Sequence, residues 1–332
     1  MELKLPEKEC LIGLSPMDDI TDMPFRELCK EFGADVLITE FIASEALNRD
    51  AEKSLRKMRF SESQRPIGIQ IFGADEGELL QCLEVVEEAK PDFIDINWGC
   101  PVRKVAGKGA GSGILQNIPK MLRITASMVK HAHLPVTVKT RIGYSADSMM
   151  ITDFAEALQD TGIAALSIHG RTKTQMYSGT ADWSMIGEVK NNPRMHIPIF
   201  GNGDITSATQ AIDNKRRYGV DGILIGRGAI GNPWIFEQCR RVFNGEEERE
   251  VSVGERVEVC RRHLHAAIAF KGEHTAIFEM RKHYGAYFKG LPHFKAFRIP
   301  LVNSTNLDEM EEILDKVKAY YEGYNENILD KI

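Results

Sequence analysis

The chain has 332 residues, 43% of them hydrophobic, and a formal net charge of -6. That length holds one large domain and a small one around a substantial core, while the negative balance argues against polyanion binding over the whole surface and directs attention to local basic patches. The six cysteines, at 10, 29, 82, 100, 239 and 260, lack any paired or zinc-type spacing and read as reduced thiols of a cytoplasmic protein; charges interrupt any leader-like opening, and no uncharged run approaches the roughly 18 residues of a membrane span.

In chain order, short apolar runs predict strands at 11–15, 35–39, 67–72, 93–97, 136–140, 165–169, 197–200 and 222–225. Stretches of helical period predict helices at 24–32, 76–89, 119–130, 149–160, 183–190 and 207–215. This alternation, with no glycine fingerprint after the first strand, favours an α/β (β/α)8 TIM barrel over a doubly wound sheet. After Phe243 the pattern changes. Residues 244–251 form a charged, turn-rich linker between a catalytic barrel over 1–243 and a small all-α helical domain over 252–332.

A barrel collects its chemistry at the C-terminal ends of its strands. Ser15, Gln70, Asn97 with Cys100, Lys139, His169, Asn202 and Arg227 stand at or just past the ends of seven predicted strands. Any one could be a satisfied local polar group; together they are expected around one mouth. Cys100 lies between Gly99 and Pro101, and a glycine-rich loop with Arg103, Lys104 and Lys108 follows. This reads as an active-site edge with a movable flap, or as a buried structural thiol beside a flexible connector. Glycine turns after the last two strands, with Asn202, Gly203 and Asp204 in one and Gly226 and Arg227 in the other, suit an anion such as a phosphate.

Lys139, on an otherwise apolar or small strand, is expected to point into the mouth and needs an acceptor: a neighbouring carboxylate, or the N1 and C2 carbonyl edge of a flavin, with Gln70 reaching the ring from across the barrel. A thiol beside a flavin fits the reduction of a carbon–carbon double bond, with hydride delivered to one carbon and a proton to the other. No adjacent His or Asp suggests a nucleophilic role for Cys100, so general acid is the preferred one.

The segments at 15–22 (SPMDDITD), 70–73 (QIFG), 97–101 (NWGCP), 139–143 (KTRIG), 169–172 (HGRT), 177–183 (YSGTADW), 202–204 (NGD) and 226–228 (GRG) together resemble the tRNA-dihydrouridine synthase family. The match runs from about residue 12 to 236, and weaker similarity at 280–283 and 289–292 continues it. The resemblance implies an FMN-bound barrel that reduces the C5–C6 bond of a tRNA uridine, with NADPH or NADH as the ultimate reductant. Carried over by position, Pro16, Met17, Asp18, Gln70, Lys139, His169, Asn202, Gly203, Asp204, Gly226 and Arg227 would hold the flavin, Cys100 would protonate C5, and Asn97 would help hold the base. Arg103, Lys104, Arg171 and Lys173 would meet RNA phosphates. Asp18-Asp19 departs from the small residue and glycine common in the family, which puts the local flavin contact in doubt.

An RNA substrate calls for a cationic surface. Residues 255–300 hold nine Lys/Arg, among them Arg281, Lys282, Lys289 and Arg298, against four Glu. The uridine is expected to be flipped into the mouth. Two alternatives stay open: an FMN barrel acting on a free pyrimidine, and an RNA-binding protein with a non-catalytic flavin.

Overall fold

Parallel strands wind into a single barrel in the computed structural model, which describes residues 2–329. They are β1 (Leu11–Leu14), β2 (Leu37–Ile38), β3 (Ile42–Ala43), β4 (Ile67–Phe72), β5 (Phe93–Trp98), β6 (Val136–Arg141), β7 (Ala165–His169), β8 (Ile199–Asn202) and β9 (Gly222–Ile225). Neighbours pair in the order β1-β9-β8-β7-β6-β5-β4-β2. A parallel bridge between Gly13 and Val36 closes the ring, with the Leu14 amide donating to the Val36 carbonyl at 3.1 Å. The expected (β/α)8 barrel is therefore present, followed by a helical region.

The strand predicted at 35–39 is split. β2 and β3 both pair with β4 and together make one stave, so nine strands give eight positions around the barrel. β8 begins two residues later than predicted because Pro198 has no amide hydrogen to enter the ladder. Three aspartates pin the N-terminal rim. Asp35, Asp92 and Asp221 accept from the amides of Ile12, Ile67 and Ile199 at 2.8, 2.7 and 2.8 Å, so each strand start is tied to its neighbour.

Because alternate residues of a strand face opposite sides, each strand gives one set to the lumen and one to the surrounding helices. The lower lumen is apolar, filled by Leu11, Val36, Ile38, Phe93, Ala165, Phe200 and Leu224. Gly68 and Gly222 make room for two of these rings: a Cβ there would stand 2.1 Å from Phe93 and 2.3 Å from Phe200. Continuing the same parity toward the C-terminal ends brings Gln70, Asp95, Asn97, Thr137, Lys139, His169 and Asn202 together as a polar layer above the apolar plug.

Residues 244–250 carry no regular structure, and Arg249 spans them by pairing with Glu237 and Glu255, each at 2.7 Å. Beyond lie the helices Val253–Lys271, Glu273–Tyr287, Lys295–Asn303 and Leu307–Leu329. The expected helical periods are their core: Val257, Cys260, Leu264, Ile277, Met280, Tyr284, Tyr287, Met310, Leu314 and Val317 are all buried. One buried cluster continues from the barrel into this region. At the seam Phe25, from the helix Met23–Glu31, stacks on His263 at 5.3 Å and meets His283 at 5.2 Å. Residues 330–332, the end of the expected helical domain, lie outside the described residues.

Candidate active site

A chain of hydrogen bonds starts at Asp95, a fully buried carboxylate in the middle of β5. It accepts from the Thr137 hydroxyl at 2.5 Å and from Gln70 Nε2 at 2.6 Å. Gln70 Oε1 in turn accepts from Asn97 Nδ2 at 2.8 Å, and Asn97 Oδ1 accepts from the amides of Gly99 at 2.9 Å and Cys100 at 2.8 Å. A carboxylate can only accept, and backbone amides can only donate. The two ends therefore fix which way each intervening amide faces, and the relay sets the turn that carries Cys100. Burial raises the Asp95 pKa to about 6, against the hydrogen bonds from Gln70 and Thr137 and the charge of Lys139.

Cys100 is 6% exposed. Burial, with a smaller contribution from the Asp18 charge, pushes its thiol above the ordinary value of 9.0, so it is protonated at neutral pH. Its carbonyl accepts from both the amide and the hydroxyl of Ser112, at 3.0 and 2.8 Å, which ties the far end of the glycine-rich loop back to the thiol. A short helix, Arg103–Ala106, lies inside that loop, and the side chains of Arg103 and Lys104 are exposed without ion pairs among the described residues.

Across the lumen, Lys139 Nζ donates to Asn202 Oδ1 at 3.0 Å, and Asn202 Nδ2 donates to the Leu224 carbonyl at 2.8 Å. That is one acceptor for three donors. Burial, and secondarily Arg141, lowers the Lys139 pKa to about 8. His169 is held neutral, its pKa lowered to about 2 by burial and by the cations Lys139, Arg141, Arg171 and Arg227, and neither ring nitrogen bonds to protein among the described residues. Met17 approaches the end of β9, its sulfur 3.6 Å from where a Cβ on Gly226 would stand.

Several of the expected contact residues already have protein partners. Asn97 spends one of its two Nδ2 protons on Gln70 Oε1, and its oxygen is taken up by the Cys100 turn. Arg171 is 2% exposed and bidentate to Asp204 at 2.8 and 2.6 Å, with further bonds to the Ser178 and Gly179 carbonyls. It braces the loop after β7. Asp204 also accepts from Arg227 at 3.1 Å; burial opposes its ionisation, but the Arg171 bonds hold its carboxyl below the usual range. Asp18 is exposed and paired with Lys57, while Asp19 adopts φ 55 and donates its amide to Glu40 at 2.7 Å, the left-handed geometry a glycine would take freely. Of the distant cations, Lys289 and Arg298 are exposed and Lys282 donates to the Asp19 carbonyl at 3.4 Å. Arg281 is half-buried, packed on Phe278 at 4.1 Å and bonded to the Ser304 carbonyl at 3.3 Å.

Sequence reasoning missed Asp95 and Arg141 as site residues. The signal for Asp95 was present: one carboxylate between Ile94 and Ile96 on a fully buried strand needs a dedicated set of donors. Arg141 donates to the Gly99, Thr172 and Met176 carbonyls at 2.8, 3.0 and 3.0 Å, joining the loops after β5 and β7. Nothing local in the sequence could reveal that span.

The residues at the mouth fit a flavin. Lys139 has donors left over that would suit the N1 and C2 carbonyl edge of a flavin, neutral His169 would border the ring, and half-exposed Arg227, at a glycine turn, would suit a phosphate. A closed parallel barrel with this mouth and a buried protonated thiol is a flavin-dependent oxidoreductase barrel. Solved structures agree on the fold: morphinone reductase superposes with a TM-score of 0.52 at 14% identity, covering 76% of this chain and 89% of that one. Histamine dehydrogenase from Rhizobium sp. 4-9 gives a TM-score of 0.54 at 13% identity, covering 77% and 48%.

A family model described as dihydrouridine synthase (Dus) matches residues 13–322. A probable tRNA-dihydrouridine synthase from Rickettsia conorii is 33% identical over 93% of each chain, and tRNA-dihydrouridine synthase B from Xanthomonas campestris pv. campestris is 36% identical over 91% of each. The chain belongs to the dihydrouridine synthase family.

Proposed function

We propose that the protein is an FMN-dependent tRNA-dihydrouridine synthase, acting in the cytoplasm with NADPH or NADH as the ultimate reductant. The observation that carries this reading is a protonated, buried thiol fixed by the Asp95 relay at the edge of a mouth lined by Lys139 and His169. Bound FMN would supply hydride to C6 of the uridine. Cys100 Sγ would give its proton to C5, so one hydride and one proton saturate the bond, and the thiolate would be reprotonated from solvent.

Lys139, His169, Gly226, Arg227 and the turn at 202–204 would hold the flavin, with Pro16 and Met17 packing from the β1 side; Gln70 would orient Asn97 while bordering the ring. The exposed cations Arg103, Lys104, Lys289 and Arg298, with the partly buried Lys173, would meet tRNA phosphates, and the helical domain over 252–332 would orient the tRNA. The test is dihydrouridine formation in unmodified tRNA by the flavin-loaded enzyme. Cys100→Ala should lose about two to four orders of magnitude in turnover while its flavin still bleaches with NADPH. Wild-type turnover by that variant would refute the proton-donor role, and activity on free uracil without tRNA would refute the RNA substrate.

A further inference from the structure

Outside the lumen, next to the Cys100 loop, lies a cleft of about 760 Å³ that the flavin and target base leave unassigned. One wall is the loop itself, from Pro101 and Arg103 to Gln116; the other is formed by Tyr144, Lys173 and Met176. No acidic side chain lines it, although the chain as a whole is acidic.

The second wall is built. The Lys173 and Thr174 amides donate to the Gly143 and Tyr144 carbonyls, both at 2.9 Å, and Ser148 Oγ accepts from the Tyr144 amide at 3.0 Å. The Lys173 ammonium lies 4.8 Å over the Tyr144 ring and donates to its hydroxyl at 3.3 Å. A fixed cation and aromatic thus face a loop bearing the exposed cation Arg103. Aromatic surface beside cations is how proteins hold single nucleotides of a strand: the base stacks and the phosphate pairs.

We infer that this cleft is a second nucleotide subsite, which takes the RNA nucleotide adjoining the target uridine, its base against Tyr144 and Met176 and its phosphate between Arg103 and Lys173. The inference rests on the RNA-substrate reading above. Pro101, which lines the cleft, directly follows Cys100, so the cleft opens one residue from the thiol proposed to protonate the base, within reach of a neighbouring nucleotide. A nicotinamide donor needs the lumen instead, where hydride is handed over. Arg103 belongs to the loop, so the bound nucleotide would also hold that loop against the fixed wall.

The experiment uses the flavin-loaded full chain, wild type and the variants Tyr144→Ala, Lys173→Ala and Arg103→Ala, with unmodified tRNA over a salt series. Tyr144→Ala should raise KM for tRNA by about tenfold, as loss of one base stack does. Lys173→Ala and Arg103→Ala should each flatten the log KM against log salt slope by about 0.7, the loss of one phosphate contact on a single strand. Unaltered KM and salt slopes in correctly folded variants, judged by flavin content, would overturn the subsite while leaving the function intact. A rise in KM for NADPH rather than tRNA would overturn it in favour of a nicotinamide site. If wild type forms no dihydrouridine in any tRNA, the function reading fails instead, and the subsite with it.

Discussion

Asp95→Asn separates the charge of the relay from its shape. Burial raises the Asp95 pKa from 3.8 to about 6, so the folded state binds this proton more tightly than the unfolded chain does. The associated stability is fully present below the unfolded value and is lost as pH rises through the folded one. With those two values the loss between about pH 5 and pH 8 is on the order of 1.4 kcal/mol. An asparagine can keep the relay, its oxygen accepting from Gln70 and its amide donating to the Thr137 hydroxyl, which rotates to accept. Urea unfolding near both pH values should therefore show Asp95→Asn gaining on wild type by about 1 kcal/mol at the higher pH. Parallel profiles for the two proteins would refute the reasoning, since they would mean that the hydrogen bonds already compensate the buried charge. Asp95→Leu should behave differently, because it leaves Gln70 Nε2 without its acceptor and frees the Cys100 turn to shift; turnover on tRNA should fall along with stability.

Burial holds the Cys100 thiol above 9.0, so single-turnover reduction of tRNA uridine should be constant through neutral pH and decline only in the alkaline range; a decline centred near neutral pH would point to a different proton donor. Asp204→Ala strips Arg171 of its bidentate partner while leaving the guanidinium 2% exposed, and should cost about 1–3 kcal/mol in thermal unfolding and open the loop after β7 to proteolysis. Gly231→Ala tests the seam between barrel and helices. At φ +60, its Cβ would stand 2.4 Å from the Tyr287 amide nitrogen and 2.8 Å from Ala286 Cβ, so a loss of about 1–3 kcal/mol and a lower Tm are expected.

Much of this protein was legible in its sequence. Buried parallel strands read as short apolar runs, and the period of those runs and of the helices between them is set by backbone geometry alone. Eight staves with polar residues at their ends were therefore predictable, as were Lys139 and Asn202 at one mouth, which the structure joins at 3.0 Å. The pairing of partners was not. Asn97 and Arg171 stand at or just past strand ends, but their side-chain partners are Gln70, 27 positions away, and Asp204, 33 away. Likewise Tyr144 and Lys173 become a cleft wall only because two loops pair their backbones. A sequence fixes which side chains can donate or accept. Whether a donor remains free for a ligand depends on which groups the closed barrel brings within 3 Å of it, and only the tertiary structure decides that.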